Sequence, residues 1–386
     1  MIGRGTIRLV LAVVFVGGAV VRGAVVEVAS SRELAAAAAR ATPGTVIRLK
    51  GGSFEPGVHL RELHGTQAEP IVIEGSEATP TVFSGGTGGI QLSSCTFVVV
   101  RRITFEKQTG NAINIDDGGA TDGSLPSHHV TLDHLSIRDV GSTGIVNGIK
   151  MAGVDQVTIT HCYIRGWGGS AIDLVGCHEG VIEHCTITGK EGYSQNTGVQ
   201  IKGGSRDITV RNNTFSDAGQ RAVNAGGNTG TAYFRPPDAP YEARDVTIER
   251  NVIVGSETPV AFPGVDGAVL RYNTVVRPTK WLWRILQEST DPRFIPSRNV
   301  TIEHNVFVWE GGAENTAVNV GAHTAAETYK VRENLFFRED APKRSKISLP
   351  GKSEGNVFGT DPRLDEKHRV TDRELARQYG QDADAE

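Results

Sequence analysis

The sequence predicts an all-β chain wound as a right-handed parallel β-helix, a solenoid with a capping helix at its N-terminal end. Three observations predict it: a recurring short strand, a spacing of one coil between recurrences, and an internal column dominated by asparagine. The strand recurs as Gly89-Ile-Gln-Leu-Ser, Ala112-Ile-Asn-Ile-Asp, Gly148-Ile-Lys-Met-Ala, Ala171-Ile-Asp-Leu-Val, Gly198-Val-Gln-Ile-Lys, Ala222-Val-Asn-Ala-Gly, Pro259-Val-Ala-Phe-Pro and Ala317-Val-Asn-Val-Gly. Each copy alternates apolar with polar residues, the signature of a strand buried on one face. Ile149 to Ile172 is 23 residues, Ile172 to Val199 is 27 and Val199 to Val223 is 24. Periods of that length mark a solenoid in which each unit buries its apolar face only by stacking on its neighbours.

A second strand follows each first one, as in Val130-Thr-Leu, Val157-Thr-Ile, Val181-Ile-Glu, Ile208-Thr-Val, Val246-Thr-Ile and Val300-Thr-Ile. After it comes the column Cys162, Cys185, Asn213, Asn251, Asn273, Asn305 and Asn334. Asparagine suits a tight bend because its amide satisfies local backbone groups and it tolerates left-handed geometry. Stacked once per coil, these amides are expected to bond along the axis. Cys162 and Cys185 are expected as stacked core thiols rather than a disulfide.

At the N-terminus, Arg4 and Arg8 precede an apolar run from Leu9 to Val21, and small residues lie at Val21 and Gly23. Residues 1–23 therefore read as a signal peptide, with an uncleaved anchor as the alternative. The protein is expected to be secreted or periplasmic, with no membrane span after cleavage. Residues 24–358 form the β-helix, with an amphipathic helix over 31–41 ended by Pro43-Gly44 as its cap. Residues 359–386 form a polar tail with a helical candidate around Thr371 to Tyr379. The net charge of −4 excludes a broad basic surface, so no nucleic-acid partner is expected and an acidic ligand must be held by local cations. The chain is expected to be a monomer.

The alternation fixes which residues face out. With Ile149, Met151, Ile172, Leu174, Val199 and Ile201 inward, one outward column is Gln91, Asn114, Lys150, Asp173, Gln200, Asn224, Ala261 and Asn319. A second is Ser93, Asp116, Ala152, Val175, Lys202, Gly226 and Pro263. Members of a column stack about 4.8 Å apart. A polar ladder with charges of both signs suits a sugar chain, which needs many donors and acceptors. A solvated face with a Lys150–Asp173 surface pair is the alternative. Two insertions, 228–244 with Tyr233, Phe234, Arg235 and Tyr241, and 276–298 with Lys280, Trp281, Trp283 and Arg284, read either as a shielding flap or as an aromatic platform for sugar rings. Trp283 is expected inward and Arg284 outward. A shorter excursion at 117–128 holds Asp117, Asp122, His128 and His129. Alternation would send those two adjacent histidines to opposite sides of their strand.

Three stretches resemble the chondroitinase-B and alginate-lyase family of polysaccharide lyases, which are secreted right-handed β-helices. They are Ser31-Arg-Glu-Leu-Ala through Phe54, Gly65-Thr-Gln-Ala-Glu-Pro-Ile-Val-Ile73, and Val199-Gln-Ile-Lys-Gly-Gly-Ser-Arg-Asp-Ile-Thr-Val-Arg-Asn-Asn-Thr-Phe215. The resemblance implies β-elimination at a uronate, with Lys202 where the family has its lysine base. The family's arginine falls on the next coil, where this chain has Asn224 and Ala225, with Arg221 shortly before them. The family's calcium is not matched by acidic ligands, because the stretch before the lysine reads Tyr193-Ser-Gln-Asn-Thr-Gly198. Arg221, Arg235 or Arg284 would then neutralise a carboxylate. The site expected is thus Lys202 and Arg221 as catalytic residues, with Asn114, Asp116, Lys150, Asp173, Gln200, Asn224, Tyr233, Arg235 and Arg284 binding a polysaccharide.

Two other readings stand beside this one. Asp116 and Asp173, with Asp117, would serve a glycoside hydrolase, at a separation of roughly 10 Å that lies at the edge of the inverting range. A non-catalytic carbohydrate-binding protein needs only the ladder.

Overall fold

The computed structural model describes residues 24–120, 124, 127–311 and 317–381. The expected signal peptide and Asp122 lie outside the described residues. Among those described, no helix is long and apolar enough to cross a membrane.

Each coil carries three strands rather than the two legible in the sequence. In one coil these are Ile149–Ala152, Thr158–Thr160 and Tyr163–Trp167, followed in the next by Ser170–Val175, His178–Glu183 and Thr186–Thr188. Every strand inside a sheet pairs in parallel with its counterparts in the coils before and after, and each end strand with one of them. The result is three long sheets of ten, thirteen and twelve strands among the described residues. The first sheet runs from Val58–Arg61 to Val318–Val320. Its register pairs Ile149 with Ile172, Ile172 with Val199 and Val199 with Val223, as the alternation predicts. These residues are fully buried, as is Trp283, with Arg284 beside it facing out.

Aliphatic side chains fill most of the core, and phenylalanines stack coil on coil toward its two ends. Phe54, Phe83 and Phe105 stack at 5.4 and 5.3 Å, and Phe307, Phe336 and Phe358 at 5.1 and 5.2 Å. The asparagine column forms a continuous ladder. Asn213, Asn251, Asn273 and Asn305 each donate from Nδ2 to the Oδ1 of the next asparagine at 2.9–3.0 Å, and the chain of amides continues through Asn334 to Asn356. One detail differs from the expectation. The left-handed residue of each bend is the one before the asparagine, as at Asn212 (φ 54°), Arg250 (55°), Tyr272 (55°) and His304 (56°). The asparagine itself must point inward to cap backbone groups of adjacent coils, so its neighbour makes the turn. Cys95, Cys162, Cys177 and Cys185 are free and buried. Burial pushes the thiol pKa of Cys95 up to about 11 and that of Cys177 to about 12.

Helix α1 (Ser31–Ala38) is capped by Ser30, whose Oγ accepts from the Glu33 amide, while Glu33 accepts from the Ala29 amide at 2.7 Å. This reciprocal pairing fixes the helix start. Leu34 is fully buried, and Ser31 donates to the Glu55 carbonyl at 2.6 Å, tying the helix to the first coils. Helix α2 (Arg373–Gln378) lies in the tail, where Val370 and Tyr379 pack against Val306, Val308 and Leu335 on the outside of the third sheet.

Candidate functional site

The outward face of the first sheet carries the predicted column in unbroken register. Gln91, Asn114, Lys150, Asp173, Gln200, Asn224, Ala261, Arg284 and Asn319 stand opposite one another in successive coils. The column begins one coil earlier, at His59. A parallel ladder holds equivalent positions in line, so one residue per coil repeats at the strand spacing.

At the middle of this face lies a cleft of about 470 Å³. Its floor is Lys150, Asp173, Gln200 and Lys202, and its wall includes Asn111, Ile145, Asn147, Ser170, Asn196 and Thr197. Asp173 is almost fully buried between the two lysines. Its Oδ2 accepts from Lys150 Nζ at 2.7 Å, while its Oδ1 has no hydrogen-bond partner and lies 3.7 Å from Lys202 Nζ. The lysine stem is held by the next coil, where a Cβ on Gly227 would come within 3.3 Å of the Lys202 Cβ and Cδ atoms. A side chain there would push the lysine aside. Beyond the lysines, Asn224 donates to Gln200 Oε1 at 3.0 Å, and Gln200 donates to the Gly226 carbonyl.

The wall comes from a third outward column that sequence reading passed over apart from Arg221. It consists of the residues two positions before each inward strand start, and Ser170, Thr197, Arg221 and Thr258 are paired along it. Asn111 and Asn147 share that offset. Asn147 donates to Asn111 Oδ1 and accepts from the Ser170 amide at 2.8 Å. Asparagine recurring at a fixed offset was the signal that could have exposed it.

The other predicted residues separate into distinct groups. Arg221 is clasped by Glu288 at 2.9 Å and lies beside Asn224, at 3.5 Å. Arg284 stacks on the Trp281 ring at 4.3 Å and donates to Asn319 at 3.0 Å; burial and then the nearby Arg221 charge lower its pKa. Asp116 accepts from Gln91, Asn114 and the Gly118 amide, at 2.8, 3.0 and 3.0 Å. Arg235 is brought not to the cleft but to Asp117, which it bonds at 3.1 and 3.2 Å, fastening the 228–242 loop to the 117–120 turn. Tyr233 is 68% exposed at the tip of that loop.

The aromatic residues of the two insertions serve mainly each other. Phe234, Ala239 and Tyr241 form a small separate core with Phe294 and Ile295. Both insertions also converge on Glu242, a fully buried carboxylate with four donors. It accepts from Gly203 N at 3.0 Å, Thr229 N and Oγ1 both at 2.8 Å, and Ser289 Oγ at 2.6 Å. Gly203 follows Lys202 directly, so this hub holds the turn that carries the lysine. Sequence alone gave no sign of it.

The adjacent histidines also differ from expectation. His129 takes a left-handed conformation (φ 54°), which breaks the alternation, and its Nδ1 lies 2.8 Å from that of His128. Both rings pack on Phe97.

A family model described as a right-handed β-helix region matches residues 147–234, the segment that includes Lys150, Asp173, Gln200, Lys202 and Asn224. The fold is a right-handed parallel β-helix. Among solved structures, this β-helix is similar to an alginate lyase from Paenibacillus sp. str. FPU-7, with TM-score 0.55 and 19% identity over 86% of this chain and 99% of that one. It is similar to a PL6 family alginate lyase, with TM-score 0.51 and 15% identity over 92% of this chain and 56% of that one. It is also similar to a GH136 lacto-N-biosidase from Eubacterium ramulus, with TM-score 0.56 and 13% identity over 85% and 64%. At such identities the β-helix itself is what is shared. No curated protein matches the chain by sequence.

The cleft does not fit calcium. That ion takes six to eight oxygen ligands, several of them carboxylates. Among the described cleft-lining residues the one carboxylate is Asp173, already set between two lysines.

Proposed function

We propose that this β-helix is an exported polysaccharide lyase that binds a uronate polymer along the first sheet and cleaves it by β-elimination. One observation carries the reading: two lysines flank a single buried aspartate in a cleft otherwise lined by amides, hydroxyls and aliphatic groups. The three charges leave one net cation in a chain of net charge −4. A cationic cleft on an acidic protein selects a sugar that carries its own carboxylate. The alginate lyases with the same fold support this substrate class.

In this reading Lys150, clamped at 2.7 Å by Asp173, faces the uronate carboxylate. Lys202 has no hydrogen bond holding it and, after releasing its own proton to solvent, removes the C5 proton. The electron pair released from C5–H forms the C4–C5 double bond, and the C4–O bond breaks. The leaving oxygen takes up a proton from solvent, and Arg221, held in place by Glu288, stabilises the charge developing there. Asn114, Asp116 and Arg284 bind neighbouring sugars along the ladder, Gln200 lines the cleft, and the buried Asn224 braces Gln200 from behind. Tyr233 reaches the polymer only from the loop tip, and Arg235 acts by anchoring that loop.

Incubation of the purified protein with alginate, pectate and glycosaminoglycans tests the proposal. An absorbing unsaturated product, lost in Lys202→Ala, is expected. New reducing ends without unsaturation would replace elimination by hydrolysis. Binding without turnover would reduce the protein to a carbohydrate-binding one.

A further inference from the structure

A second site stands on the opposite side of the coil, at the bend between the second and third sheets. There three successive coils place a histidine in the left-handed turning position: His134 (φ 49°), His161 (52°) and His184 (54°). The rings stack in parallel, His134 on His161 at 4.7 Å and His161 on His184 at 5.2 Å. Beside them runs an outward column of acids and arginines on the second sheet. In that column Glu183 pairs with Arg211, Glu249 with Arg271 and Glu303 with Arg332, each at 2.7 Å. Arg101 turns instead to Glu74, also at 2.7 Å. Asp133 therefore faces imidazoles: its Oδ1 lies 2.6 Å from His134 Nδ1 and 3.8 Å from His161 Nδ1.

We propose that Asp133, His134 and His161 form a binding site for a divalent transition-metal ion of the Zn²⁺, Cu²⁺ or Ni²⁺ type. One ligand atom from each lies within 4.8 Å of the others, and among the described residues no other three such groups converge this way. Tetrahedral ligands at zinc distances stand roughly 3.3 Å apart, so the observed 2.6 and 3.8 Å bracket what the ion needs. Imidazole with one carboxylate favours borderline ions over calcium or magnesium. The Thr160 hydroxyl, 2.9 Å from His161 Nδ1, gives up that contact when the ion binds. Both histidines are at least half exposed, so the ion reaches them from solvent and keeps an open position. Asp133 and His134 belong to one coil and His161 to the next, so the ion fastens two coils together and stabilises the folded state by mass action.

The test uses the full chain without a polyhistidine tag, stripped with chelator and titrated with Zn²⁺ by calorimetry. Thermal unfolding is followed in parallel. One ion per chain and a raised Tm are expected, with affinity falling about tenfold or more in His161→Ala and Asp133→Asn. His184→Ala retains binding. Cu²⁺ bound to the wild type should show two nitrogen ligands by electron paramagnetic resonance. No Zn²⁺ binding, binding unchanged in His161→Ala, or an equal loss in His184→Ala would each overturn the site.

Discussion

Lys202 Nζ lies 3.7 Å from an Asp173 oxygen that no hydrogen bond satisfies, while Lys150 holds the other oxygen at 2.7 Å. The two lysines share one carboxylate but not one environment. The clamped lysine is suited to bind, and the loosely held one to transfer a proton.

The two roles separate kinetically. Lys202→Ala is expected to lower kcat by about 10² to 10⁴, the range a positioned acid or base contributes. Lys150→Ala should mainly raise KM. Steady-state kinetics on the polymer that proves to be a substrate checks this, and an unchanged kcat in Lys202→Ala would remove the lysine from the chemistry.

Glu242 holds the lysine-bearing turn without touching the cleft. Truncation to alanine strands four buried donors from Gly203, Thr229 and Ser289. A loss of about 3 kcal/mol is expected, read as a lower denaturant midpoint. Activity at temperatures where the variant stays folded should fall too, because the turn after Lys202 loses its anchor.

The asparagine ladder makes a comparable prediction in the core. Asn273 bonds Asn305, Asn251 and the Ile248 and Arg271 carbonyls. Asn273→Ala should cost about 2 to 3 kcal/mol, measured by urea unfolding. An exposed substitution such as Tyr163→Ala should cost far less.

Glu74 supplies the pH dependence. Burial raises the pKa of its carboxyl, but hydrogen bonds and charge from Arg101, Arg48 and Arg102 outweigh that and hold it below the ordinary value of 4.5. A depressed pKa stabilises the fold fully above the ordinary value, and that contribution is lost as pH falls through the lowered one. Glu74→Gln should therefore be less stable than wild type at pH 7 by about 1 to 2 kcal/mol, because the three arginines left behind are about a third to a half exposed to solvent. The gap should close as pH falls through the acid range. Paired thermal melts at neutral and acid pH give the comparison.

Much of this was legible because the signals are local. Alternation at Gly148–Ala152 and its seven sister segments gives both strand and register, since a slip of one residue would expose every core side chain. Hence Lys150, Asp173, Gln200, Lys202 and Asn224 fall where the pattern puts them. The third strand of each coil escaped because its segments run five residues at most, as at Thr186–Thr188 and Tyr163–Trp167, too short to show a period. The paired side of His128 and His129 escaped because one left-handed residue resets the alternation.

By itself the sequence determined the solenoid, the inward columns and the polar ladder, because each depends only on spacing within a coil and its repetition. Tertiary structure decided which polar residues work together. It sent Arg235 to Asp117, gave Arg221 to Glu288, and buried Glu242 where two insertions meet the lysine turn. Those partners lie 39 to 118 residues apart in the chain, and no periodic signal links them. They are chosen by where long loops fold back and which buried charge must find a donor.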